Sequence, residues 1–216
     1  MSRTHYLAEL ESVRRNLVEM GETVLTLFDD AVMTVLEPNP DCLAKAGELE
    51  AETDHQHRLV HDQYLDLITL QAPVARDARF VTGVLDAIVD LELIGDYSYE
   101  IVTLACGMRR RPPFQVLFPI SELAKKVRGV LAKAMDAWRG GDSARGLSVR
   151  PQETTIRADC GALYERLTQL TSRAGEATTY LDLLLISRHL ERILRHAVSV
   201  ADQAARAAPL EQERLA

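Results

Sequence analysis

From Leu7 onward apolar residues recur at three- and four-residue steps: Leu7, Leu10, Val13, Leu17, Met20, Val24, Leu27, Ala31 and Val35. Such steps keep side chains on one face of an α-helix, so the pattern predicts a first helix over about 6–36. Pro38, Asn39 and Pro40 end it, because proline lacks the amide hydrogen a helix needs, and Asp41 is suited to cap the next helix. That second helix is predicted over about 41–70, with its stripe at Leu49, Thr53, Val60, Tyr64 and Leu67. A turn at Gln71-Ala72-Pro73 leads into a third, about 74–105, whose buried side carries Val81, Val84, Leu85, Ile88 and Leu91. Helices this long joined by short turns pack antiparallel in a bundle.

The segment 107–119 has the Gly, Arg and Pro content of a linker. The plan then starts again. Ile120, Leu123, Val127, Val130, Leu131, Ala134 and Trp138 predict a fourth helix stopped at Gly140-Gly141-Asp142; a fifth follows over about 151–174 and a sixth over about 179–207. Leu91-Glu92 with Ile94 is echoed by Leu190-Glu191 with Ile193. The expected fold is all-α: two tandem pseudo-symmetric three-helix bundles, 1–106 and 120–216, joined by the linker 107–119. One irregular six-helix bundle is the alternative.

Composition agrees with helices: 47% of residues are hydrophobic but only 5% aromatic. A net charge of -7 repels a phosphate backbone, and Arg109-Arg110-Arg111 reads as a solvated linker or a contact for an acidic surface, not as a nucleic-acid interface. Cys42, Cys106 and Cys160 are scattered and odd in number, which suggests a reducing compartment without a disulfide framework. Glu9, Glu11 and Glu19 argue against a signal peptide, and no apolar run approaches the roughly 18 residues of a membrane span. A soluble, cytoplasmic protein is expected.

The candidate chemistry lies in carboxylates. Glu50 and Asp54 are four apart, as are Glu92 and Asp96, so each pair shares a helix face. Counted from Ala72, the first pair lies 22 and 18 residues before the turn and the second 20 and 24 after it. Antiparallel packing brings all four to one level, roughly 30 Å from the turn at about 1.5 Å per residue. Each pair sits one position off its apolar stripe, at the seam between helices. Clustered carboxylates are costly unless protonated or bound to cations. Two divalent ions would neutralise this set, and oxygen donors suit Mg, Mn, Ca or Fe. His57 and His61 continue the face of Glu50 and Asp54; either nitrogen would shift preference toward Fe, Zn or Ni, or both are a solvated helix edge.

In the second repeat Glu153 precedes Arg157 by four residues and Glu191 precedes Arg195 by four. The quartet passes from -4 to zero, so salt bridges are expected where the first repeat has metal. A ferritin-type di-metal oxidase is the rival, but Glu52-x-x-His55 and Asp54-x-x-His57 both fall on one helix, whereas such sites draw on several. Hydrolase and phosphate-loop motifs are missing from the sequence. His5, His189 and His196 read as isolated surface or boundary residues.

Leu91-Glu92-Leu93-Ile94-Gly95-Asp96 resembles the Leu-Glu-Arg-Ile-Gly-Asp of the PhoU family of phosphate-uptake regulators, with Leu in place of Arg. Gln71-Ala72-Pro73-Val74-Ala75-Arg76-Asp77-Ala78-Arg79 resembles that family's Gln-x-Pro-x-Ala-x-Asp-Leu-Arg, and Leu17-Val18-Glu19-Met20-Gly21 the end of its opening motif. The resemblance implies two three-helix bundles able to carry metal clusters, with ligation here on Glu50, Asp54, Glu92 and Asp96. It also implies a non-enzymatic adaptor between a phosphate ABC transporter ATPase subunit and a sensor histidine kinase, in two-component signalling. Such a protein meets the membrane only through partners, and homo-oligomers are possible. Leu194-Arg195 stands where the family has Gly-Asp, which removes the second cluster.

Overall fold

A computed structural model describes residues 3–71, 75–171 and 177–207. Within them seven helices follow in order: α1 (Arg3–Leu36), α2 (Cys42–Gln71), α3 (Ala75–Gly107), α4 (Phe114–Gly140), α5 (Ser143–Leu147), α6 (Arg150–Thr171) and α7 (Ala177–Ala207). There is no strand among the described residues. The turn expected at Gln71-Ala72-Pro73 falls outside them from Ala72 onward, as does the end expected for the fifth helix.

α1 packs on α2 and α3, and α7 on α4, α5 and α6, giving the two expected bundles. They are not independent, because α3 lies along α7 and α1 along α4. One continuous core results. Leu17, Met20, Val24 and Leu27 of α1 are wholly buried, as are Val127, Val130, Leu131 and Ala134 of α4. Phe80 of α3 meets Trp138 of α4 edge to face at 6.1 Å, and the buried indole N–H donates to the Val200 carbonyl of α7 at 3.0 Å. Gly21 of α1 leaves room for the Met135 side chain of α4, which a Cβ there would displace.

The boundaries differ from the sequence expectation in two places. α4 begins at Phe114, so helix occupies the second half of the expected linker and Pro119 lies inside it. Proline at that position leaves the Gln115 carbonyl without its helical donor; Arg166 of α6 supplies one at 3.2 Å. The second difference is α5. Gly141 ends α4 in the left-handed region, with φ 59°, and Asp142 caps a new turn by accepting the Arg145 N–H at 2.9 Å. The expected stop is thus also a start. Arg111 proves tied down as well: its guanidinium donates to the Leu36 carbonyl at the open end of α1.

Candidate metal centre

α2 and α3 run antiparallel, and Gly95 permits their closeness: a Cβ there would lie 3.3 Å from Thr53 Cγ2. Thr53 is buried, with its hydroxyl returned to the Leu49 carbonyl at 2.9 Å. Glu50, Asp54, Glu92 and Asp96 flank this crossing, each half-buried. Their proximity is registered by Asp96, whose carboxyl is pushed up to about 6. Burial is the largest cause, followed by the charges of Glu92, Asp54, Glu50 and Glu100. Glu100, one turn beyond Asp96, is a fifth acid outside the set expected from sequence, although the same four-residue step reaches it.

His57 is half-buried, and its Nδ1 stands 3.6 Å from Glu92 Oε2. Its Nε2 is buried without a hydrogen-bond partner, as is Oε1 of the neighbouring Gln56. Orphaned polar atoms of this kind each cost about 1–3 kcal/mol, which a ligand would offset. His61 is less involved: its Nδ1 lies 3.8 Å from Asp62, and its ring leans toward Tyr64. Asp54 also has Arg58 at 3.9 Å. Among the described residues, no three His, Cys, Asp or Glu side chains are arranged as they stand to hold a metal ion. The donor chemistry suits a hard cation with one nitrogen ligand; closing a shell requires these side chains to turn inward.

The equivalent α6–α7 seam is different. Glu153 and Arg157 pair at 3.7 Å, as the spacing predicted. Glu191, however, pairs with Arg188 at 2.5 Å and not with Arg195, which is exposed. Arg188 lies over the Tyr164 ring, 5.7 Å from its centroid, so its guanidinium is already on the α6 side. A cavity of about 400 Å³ opens here, bordered by Arg157, Cys160, Tyr164, Arg188 and Glu191. With Glu153 aligned on Glu50, Cys160 takes the place of His57. Burial first, and then Glu191 and Asp159, push its thiol up to about 11, which keeps it protonated and a poor ligand.

His189 and His196, expected from sequence to be isolated, belong to the α3–α7 seam. They flank Tyr97, with ring centroids at 5.5 and 5.8 Å. His196 Nδ1 meets Asp90 Oδ1 at 2.7 Å, and His189 Nδ1 approaches Glu100 at 3.2 Å. Burial holds the His189 imidazole below its ordinary value. Their seven-residue spacing on α7, two helical turns, was the available signal.

Fold and seam together define a duplicated all-α protein in which one half carries an acid-lined helix pair and the other pairs its acids with arginines. The PhoU domain model matches residues 17–105 and again 120–204, and the chain belongs to the PhoU family. It is 27% identical over 201 residues to a Synechocystis protein named phosphate-specific transport system accessory protein PhoU homolog, covering 93% of this chain and 90% of that one. A Pseudomonas putida protein of the same name is 28% identical over 210 residues, covering 93% and 81%. Among solved structures, PhoU from Pseudomonas aeruginosa superposes with a TM-score of 0.87 at 23% identity, covering 92% of this chain and 96% of that one. The phosphate transport system regulatory protein PhoU from Streptococcus pneumoniae gives 0.84 at 17%, covering 92% and 94%. These structures share the fold.

Proposed function

We propose that this chain is a binding regulator of phosphate-specific transport, working without a reaction of its own and carrying metal only in its first repeat. Relatives named as accessory proteins of such a system support the first part. The observation that carries the second is the crowding of acids that raises Asp96. Glu50, Asp54, Glu92 and Asp96 hold the ions, with His57 Nε2 as a further donor; Mg, Mn, Ca, Fe, Zn and Ni are the candidates. When bound, the cations supply positive charge that relieves the acid repulsion and ties α2 to α3. The long helical faces serve as docking grooves for the transporter ATPase subunit and a sensor histidine kinase, in the cytoplasm. No helix among the described residues is long and apolar enough to cross a membrane, in keeping with attachment through partners. The oxidase alternative finds no support: both acid-x-x-His steps lie on α2 alone, and Glu52 and His55 face solvent.

The test is metal content by mass spectrometry on wild type beside Asp54→Ala/Asp96→Ala. One to a few ions per chain, lost in the variant, are expected, and the variant should melt lower than wild type in metal. In chelator it should melt no lower, because removing Asp96 removes repulsion. No ion in wild type after incubation with Fe(II), Mn or Zn, or equal destabilisation in both buffers, sinks the metal reading. Stoichiometric oxygen consumption with Fe(II) would instead favour the oxidase.

A further inference from the structure

Cys42 and Cys106 are 64 positions apart, but α2 opens at Cys42 and antiparallel α3 closes at Gly107. Thr53 meets Gly95 where the two helices cross, and each cysteine lies eleven residues from that crossing on its own helix, so the fold brings the two side chains together at one level, close enough to perturb each other. Cys106 is exposed, and Cys42 sits behind it with 8% of its surface open. Cys42 is the first residue of α2 and lies beside Thr34 of α1 and the backbone of Asn39 and Leu43. Amide groups at a helix start stabilise negative charge on sulfur. The third cysteine, Cys160, is buried on α6, in the other repeat.

We propose that Cys42 and Cys106 form a reversible dithiol–disulfide site that is oxidised by hydroperoxides. Cys42 is the attacking sulfur and Cys106 the resolving one. Burial raises the Cys42 thiol, yet its hydrogen bonds outweigh this and leave it lowered, while burial and Cys42 push Cys106 up to about 12. The Cys42 thiolate attacks one peroxide oxygen and forms an S–O bond. The O–O bond breaks, and the other oxygen leaves with the electron pair and takes a solvent proton. Cys106 then attacks the Cys42 sulfenic acid: an S–S bond forms, the S–O bond breaks, and hydroxide leaves as water with the Cys106 proton. The two sulfurs lose two electrons together and the peroxide gains two. Two equivalents of a small thiol reverse the reaction. In a reducing compartment such a bond is transient, formed under oxidant and then removed. It joins the open ends of α2 and α3, about 12 Å along α2 from Glu50 at about 1.5 Å per residue.

The experiment treats reduced full-length protein with a few equivalents of hydrogen peroxide, blocks free thiols with N-ethylmaleimide in denaturant, and maps peptides. Wild type should lose two of its three alkylatable thiols to a Cys42–Cys106 crosslink within one chain, with Cys160 alkylated throughout and dithiothreitol restoring all. The closed loop should raise Tm by about 5–10 °C. Cys160→Ser should crosslink as wild type does. Cys106→Ser, at an exposed position, should form no crosslink and accumulate a dimedone-reactive Cys42. Three free thiols after oxidation, or crosslinks only between chains or through Cys160, overturn the site. A Cys42 that stays unmodified in Cys106→Ser overturns the order of attack.

Discussion

The α2–α3 and α6–α7 seams follow one plan and close differently. At the first crossing Gly95 meets Thr53; at the aligned positions of the second stand Leu194 and Ile156, both buried. A leucine and an isoleucine fill more of a crossing than a glycine and a threonine do. In the first seam the flanking acids crowd one another, and Asp96 carries the cost. In the second there is a cavity, and arginines at its border pair with the remaining acids. Gly-Asp in one repeat and Leu-Arg in the other are matched solutions.

The harshest way to break this contrast is to give the first seam the second's residue. Gly95→Leu should overpack the crossing by about 2–3 kcal/mol, lowering Tm by about 5–10 °C and abolishing any gain in Tm from added cation. Circular dichroism melts with and without metal read both effects, and an unchanged Tm would mean that close approach does not organise the seam.

A smaller effect isolates Asp96 by pH. Its folded-state carboxyl is raised from 3.8 to about 6, so the folded chain holds that proton more tightly than the unfolded chain. The stability this contributes is complete below 3.8 and is lost as pH rises through about 6. In chelator, wild type should therefore lose on the order of 1 kcal/mol relative to Asp96→Asn between about pH 4 and 7, after discounting for solvent screening. Urea titrations at three pH values measure it; parallel curves for the two proteins would dissolve the crowding argument.

The least effect is expected in the second seam. Arg157→Ala should cost below about 0.5 kcal/mol, vanishing in high salt, because its partner Glu153 is met at an exposed surface. A loss above about 1 kcal/mol would show that this pair within α6 contributes more than an exposed i,i+4 contact does.

Helices and their buried faces are largely legible in the order of residues. Every apolar position assigned to the α1 stripe is buried except Leu7, and every one assigned to α4 is buried. The start of α4 escapes such a reading because proline is a local stop signal, whereas Pro119 is tolerated through a donor on α6. The α2 stripe is less legible. Tyr64 and Leu49 are only half-buried, and Gln56, which no hydrophobic pattern would select, is buried in their stead.

The sequence by itself determined that Glu50 shares a face with Asp54 and Glu92 with Asp96, since a 3.6-residue repeat is set by the backbone alone. The duplication and the loss of net charge from the first quartet to the second were likewise written in residue order. Only the tertiary structure decided that Glu191 would take Arg188 over Arg195, that His189 and His196 would enclose Tyr97, and that two distant cysteines would meet. Those pairings depend on how near two helices come and how they are rotated. Both are set by the volumes of side chains packed between segments far apart in the chain, which local periodicity does not encode.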